Sequence, residues 1–158
     1  MDSLACAVTG HRDIPLQKIQ PLCRALDEQV RFAFDDGFRV FWSGFAEGAD
    51  TIFAKRVLAL QKEGLPILLC AAIPYQGRVR ELERTAEGRF LLESCSRTHI
   101  VSPVFFHGVH HVRDRFLAEE CARMIAVYDG RSTGGTLYTL LQARERLRDV
   151  RTINLAEL

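Results

Sequence analysis

Short apolar runs alternate with helical patterns along the whole chain, and that alternation restricts the fold more than any other property of the sequence. The runs are Leu4-Ala5-Cys6-Ala7-Val8, Phe38 to Trp42, Ile67 to Ile73 and Met124 to Tyr128, with His99 to Ser102 as a short fourth strand and Arg151 to Leu155 as a terminal edge strand. Continuous apolar runs of this length fit strands buried on both faces, as in a parallel sheet. Between the first two runs, Ile19, Leu22, Leu26, Val30 and Phe34 recur at helical spacing, with Asp13 as the expected cap and Gly37 as the stop. Further helices are expected from about Ala49 to Glu63, over Arg78 to Glu93, over Arg113 to Ala122, and after Thr136 with Leu137, Leu140, Leu141 and Leu147 inward. Strands alternating with helices in this way imply a parallel sheet. Right-handed crossovers leave few topologies. The expected fold is α/β: a single Rossmann-like doubly wound domain over 1–158, with a mainly parallel sheet of five or six strands and helices on both faces.

In such sheets ligands bind outside the carboxyl ends of the strands, near the point where strand order reverses. The strand ends here are Thr9, Gly10, His11 and Arg12; Ser43, Gly44, Phe45, Ala46, Glu47, Gly48 and Asp50; Pro74 and Tyr75; the loop after Ser102; and Asp129, Gly130, Gly134, Gly135 and Thr136. Two of these junctions carry paired glycines, Gly44 with Gly48 and Gly134 with Gly135, each leading into a helix. Free N–H groups at a helix N-terminus hold anions such as phosphate, and glycine lets the backbone approach closely. Small residues at a strand, turn and helix also serve packing alone. If both junctions open on one edge, a single ligand can touch both.

Individual residues admit two readings each. Thr136 can add a hydroxyl to a phosphate, and Arg12, Arg113 and Arg115 can supply charge-assisted contacts. Charged side chains are also the ordinary surface of a soluble protein. Asp50 fits either a helix first turn or a ribose hydroxyl. Glu47 is either turn decoration or an acid–base group beside a glycosidic bond. His11 either meets a ligand or pins its loop. The run Pro103 to His111, with His107, His110 and His111, matches no standard metal-ligand spacing and reads as a mobile lid. No metal is expected.

Composition narrows the function classes. A formal charge of +1 gives no overall electrostatic case for nucleic acid or an anionic membrane. Five widely spaced cysteines, with no C-x-x-C pair, read as reduced buried thiols. Neither a signal peptide nor an apolar run of about 18 residues is evident, so a cytoplasmic protein is expected. A homodimer is compatible with the sequence and not required by it.

Several motifs together resemble a known group. Val8-Thr9-Gly10-His11-Arg12, the stretch Ser43 to Asp50, Val112-Arg113-Asp114-Arg115-Phe116, and Ile125 to Gly130 leading to Gly134-Gly135-Thr136 resemble the YpsA-like branch of the SLOG superfamily. That superfamily groups the Rossmann-like domains of the DNA-processing protein DprA, the cytokinin-activating LOG enzymes and molybdenum-cofactor carrier-like proteins. The resemblance implies a cytoplasmic, bacterial, largely uncharacterised nucleotide-ligand domain, sensor-like and needing no cofactor, with a nucleotide or a derivative of NAD or ADP-ribose as ligand. Ser43 to Asp50 is also close to the DprA form of its loop, and Gly134-Gly135-Thr136 to the second phosphate-binding segment of LOG enzymes. LOG phosphoribohydrolases carry a glutamate soon after that segment, whereas Leu137-Tyr138-Thr139 stand here. Asp114 stands where YpsA-like relatives tend to have asparagine. A non-catalytic nucleotide-binding module is therefore expected first, a nucleotide N-glycosidase using Glu47 second, and DprA-like single-stranded DNA binding along Arg12, Arg113 and Arg115 third.

Overall fold

The structure, a computed structural model, describes residues 4–158. Six strands form one all-parallel sheet: β1 (Leu4–Gly10), β2 (Phe38–Ser43), β3 (Leu68–Tyr75), β4 (Arg97–Ser102), β5 (Arg123–Tyr128) and β6 (Asp149–Asn154). Their spatial order is β4-β3-β2-β1-β5-β6. Chain direction across the sheet therefore reverses beside β1, which lies between β2 and β5. The six helices are α1 (Ile19–Asp35), α2 (Ala49–Lys62), α3 (Gln76–Leu82), α4 (Ala86–Glu93), α5 (Val109–Glu120) and α6 (Gly135–Glu145).

Side-chain alternation along the strands explains the two layers. Cys6, Val8, Phe41, Leu69, Ala71 and Ile73 point into one cluster with Leu22, Leu26 and Val30 of α1, Phe53, Val57 and Leu60 of α2 and Leu91 of α4. Ala7, Trp42, Cys70 and Ala72 point the other way, against Leu117 and Cys121 of α5 and Ala143 of α6. Helices thus cover both faces, and the architecture is the doubly wound Rossmann-like one.

Some boundaries depart from the sequence-based expectation. Asp13 does not cap α1, which begins after a turn in which the Lys18 N–H donates to the Pro15 carbonyl; Asp13 instead pairs with Arg131. The single helix expected over Arg78 to Glu93 is two. The Thr85 hydroxyl accepts the Gly88 N–H at 3.0 Å and starts α4, and a Cβ on Gly88 would lie 1.9 Å from the Leu82 carbonyl oxygen. Such close packing of the turn requires glycine. Phe90, expected inward, is exposed as a result. Helix α5 begins at Val109, so the loop after β4 is shorter than expected and His110 and His111 are helical. Leu147, expected inward on α6, lies beyond it, exposed and at a φ of 56°. No helix of the described residues is long and apolar enough to cross a membrane.

Candidate functional site

A cleft of about 420 Å³ opens at the carboxyl ends of β1 and β5, where the strand order reverses. Its walls come from four segments. Val8 to Asp13 close β1, Ala46 and Asp50 come from the β2–α2 junction, His110, His111, Arg113, Asp114 and Leu117 from α5, and Arg131 and Thr133 to Thr136 from the β5–α6 junction. The volume lies in the range that holds small organic ligands.

Close backbone packing brings the first two walls together. A Cβ on Gly10 would lie 2.3 Å from Ala49 Cβ, so bare backbone lets the start of α2 rest on the end of β1. The Ala49 N–H donates to the His11 carbonyl at 3.1 Å. Gly48 sits at a φ of 79°, and a Cβ there would meet the His11 and Arg12 carbonyl oxygens at 2.5 Å. Both space and backbone conformation demand glycine.

The β2–α2 loop braces itself. The Ser43 hydroxyl donates to the Asp50 carbonyl and accepts the Phe45 N–H, the Thr51 hydroxyl donates to the Ala46 carbonyl, and the Ala46 N–H donates to Asp50 Oδ2 at 3.2 Å. Arg113 locks this loop to α5: its Nη1 donates to the Gly44 carbonyl and its Nε to Asp114 Oδ1, both at 2.7 Å. A Cβ on Gly44 would lie 2.7 Å from that Nη1. The guanidinium is itself buried, so Gly44 and Arg113 are complementary by shape as well as by hydrogen bonding.

Across the cleft, Arg131 binds Asp129 through two nitrogens and reaches Asp13 at 3.2 Å, linking the loops after β5 and β1. His11 makes a second link, since its Nε2 lies 3.1 Å from both the Asp129 N–H and Asp129 Oδ1. The neutral imidazole with Nε2 accepting the N–H is the consistent assignment. Burial, and then the Arg131 charge, hold the His11 pKa below its ordinary value and outweigh the nearby Asp129 carboxylate. Asp129 in turn is held below the usual carboxylate range, chiefly by its hydrogen bonds from Arg131.

Two buried acids line the cleft, Asp114, which is paired with Arg113, and Asp50. Desolvation pushes the Asp50 carboxyl up to about 6, against the opposing pull of Arg113 and of the Ala46 N–H. His110 is shifted down by burial and by the positive charges of Arg113 and Arg12. The guanidinium of Arg12 is exposed and has no side-chain or backbone partner among the described residues. Thr136 is buried at the start of α6, whose first backbone N–H groups belong to the cleft wall. The cleft therefore places donors (Arg12, the Thr136 hydroxyl and the α6 N-terminus) around a buried acceptor (Asp50). That combination suits a ligand with an anionic end and neighbouring hydroxyl groups.

Of the residues singled out in the sequence, Thr9, Gly10, His11, Arg12, Ala46, Asp50, Arg113, Gly134, Gly135 and Thr136 line this cleft. Asp114, His110 and His111 join them, and the rest lie outside its wall. Ser43, Gly44, Phe45 and Gly48 form the scaffold behind it, and Pro74 is buried in β3. Tyr75 ends β3 and touches His110, Glu47 and Arg115 face solvent, and Asp129 and Gly130 belong to the loop that Arg131 ties. Both glycine-bearing junctions flank β1 at one edge of the sheet. His110, Arg113, Asp114 and Leu117 form one helical face (i, i+3, i+4, i+7), a signal hidden when the helix is begun at Arg113. The three loop histidines part company: His107 is exposed in the turn before α5, His110 meets Tyr75 and Phe105, and His111 stacks on Tyr138 with ring centroids 4.1 Å apart. Among the described residues no cluster of His, Cys, Asp and Glu is placed to hold a metal ion.

Fold and site together define an open, all-parallel doubly wound α/β protein with a polar cleft at its switch point. Solved structures share this fold. The DNA processing protein A of Helicobacter pylori, described for its single-stranded DNA binding mode, matches 95% of this chain and 65% of its own, with a TM-score of 0.65 at 15% identity. The structural-genomics target TM1055 matches over 93% of this chain and 72% of its own, with a TM-score of 0.58 at 14% identity. The chain thus spans just under two thirds of the first of these proteins. No family model matches the sequence. No curated protein matches it either. At 15% and 14% identity these likenesses show a shared fold, the open doubly wound parallel sheet.

Proposed function

We propose that this protein is a nucleotide-binding, sensor-like module of the YpsA-like kind, taking a nucleotide or an NAD- or ADP-ribose-derived ligand in the cleft beside β1. The observation that carries this reading is the convergence of Arg12, Thr136 and the α6 N-terminus on the same 420 Å³ space as the buried Asp50. The phosphate lies against the first group, where the N-terminal helix dipole favours negative charge. A ribose hydroxyl donates to Asp50. The ligand needs no metal for either contact.

Calorimetric titration with AMP, ADP-ribose, NAD and cyclic nucleotides tests the reading. Saturable heat with at least one of them, accompanied by a raised melting temperature, is the expected result. No heat and no thermal shift with any of the panel would overturn it.

A second reading, nucleotide N-glycosidase activity, is favoured by one observation and moved by it. Glu47 faces solvent, whereas Asp50 lies within the cleft with its carboxyl raised to about 6, near the pH where a general acid or base is effective. Chromatographic detection of free base released from AMP, lost in Asp50→Asn, is its expected outcome. Absence of release from any nucleoside monophosphate removes it.

A further inference from the structure

Beside the cleft, toward β3 and β4, three rings meet. Tyr75 and Phe105 approach edge to face with centroids 5.3 Å apart, Tyr75 and His110 at 6.1 Å, and Phe105 and His110 at 6.3 Å. His110 belongs to the cleft wall, so the group is continuous with the cleft. Tyr75 is held in place on its other side. A Cβ on Gly77 would crowd its ring at 3.1 Å, and its hydroxyl lies 3.5 Å from Glu81.

The rest of the rim is exposed. Val104, Phe105 and Phe106 are consecutive, with 63%, 60% and 42% of their surface open to solvent. The other exposed large apolar side chains, such as Leu16, Phe32, Leu68, Phe90 and Leu147, stand singly along the chain. Isolated exposure is ordinary, while a contiguous apolar patch rimmed by polar groups marks a binding surface. An aromatic ring left uncovered next to a phosphate-suited cleft fits the flat face of a nucleobase, which stacks on aromatic side chains with little regard to sequence.

We propose that the Tyr75–Phe105–His110 rim is the base subsite for a purine nucleotide whose sugar–phosphate end occupies the cleft, with Phe105 as the principal stacking ring. The inference rests on the nucleotide reading above and adds to it the placement and chemistry of the base. The larger purine ring covers more of the rim than a pyrimidine does. Because the rim is open rather than enclosed, it grips the base by its face and reads its edges weakly. Burial and the neighbouring arginines hold the His110 pKa down, which favours a neutral ring in the cluster.

The test is calorimetry with two probes, AMP and ribose 5-phosphate, on the wild-type chain, Phe105→Ala and Phe105→Trp. Phe105 is a solvent-exposed loop residue, so both variants retain the fold, which circular dichroism checks. Wild type is expected to bind AMP at least about tenfold more tightly than ribose 5-phosphate, the scale of a single base–aromatic stack. Phe105→Ala removes that gap while leaving ribose 5-phosphate affinity unchanged, and Phe105→Trp preserves it. Equal affinities in wild type, or a gap that survives Phe105→Ala, overturn the base subsite while leaving the nucleotide cleft standing. Binding of neither probe overturns the nucleotide reading and the subsite with it.

Discussion

Asp50 gives the cleft a pH signature that can be measured without any ligand. Its carboxyl is raised from 3.8 to about 6 because the group is buried, and the nearby Arg113 and the Ala46 N–H only partly offset the loss of solvent. A tenfold change in proton affinity is worth about 1.4 kcal/mol, so ionised Asp50 costs the folded state about 3 kcal/mol relative to the protonated form. Because the folded pKa exceeds the unfolded one, the folded state binds more protons between about pH 4 and about pH 6, and this group's contribution to stability falls as pH rises through that window. Asp50→Asn abolishes the titration while keeping an oxygen that can accept the Ala46 N–H. Urea unfolding of both proteins, followed through the single, buried Trp42, gives the difference in stability at each pH. Other titrating groups, His11 among them, are common to both chains and cancel. Relative to the variant, wild type should gain about 2 kcal/mol on going from about pH 8 to about pH 4.5. A stability difference that is the same at the two pH values, or a change of opposite sign, refutes the burial argument for Asp50.

The remaining predictions concern packing and charge. Gly10→Ala must separate α2 from β1, since the new Cβ would lie 2.3 Å from that of Ala49; a loss of about 1–3 kcal/mol in urea unfolding is expected. Leu147→Gly should stabilise by about 1 kcal/mol, read as a raised melting temperature, because Leu147 is held at a φ of 56° and contributes almost no burial. Arg12→Ala should weaken AMP binding by about tenfold in calorimetry, as expected for loss of a charge-assisted phosphate contact, with stability unchanged for this exposed side chain. Cys6 should resist iodoacetamide at neutral pH in the folded chain and react once unfolded, as mass spectrometry can follow, because burial lifts its thiol to about 12.

Much of the architecture was legible because the inner strands β1, β2, β3 and β5, buried on both faces, leave largely apolar runs; the edge strands β4 and β6 are more polar, and all six lie within a few residues of the expected segments. The helix break at Glu83 to Thr85 was not, because charged residues continue across it and only the Thr85 cap and the crowding at Gly88 reveal it. At the cleft, the strand-end rule points to the right loops but not to which side chains face inward. Gly44 and Ser43 look like ligand contacts in a motif, whereas their hydrogen bonds and close contacts run to Arg113, Asp50 and Phe45. Arg131 and Asp13 form their pair across 118 positions of sequence, which no local pattern discloses. The aromatic rim is likewise assembled from the ends of β3 and β4 and the first turn of α5.

The most direct test of the cleft beside β1 as a nucleotide site is a titration of the 15N-labelled chain with AMP, followed by amide chemical shifts. Amides of His11, Arg12, Gly134, Gly135 and Thr136 should move together and saturate at one affinity, since all five line the same space. Amides that stay still at saturating AMP, or shifts confined to the exposed groove around Phe90 between α2 and α4, would contradict the account.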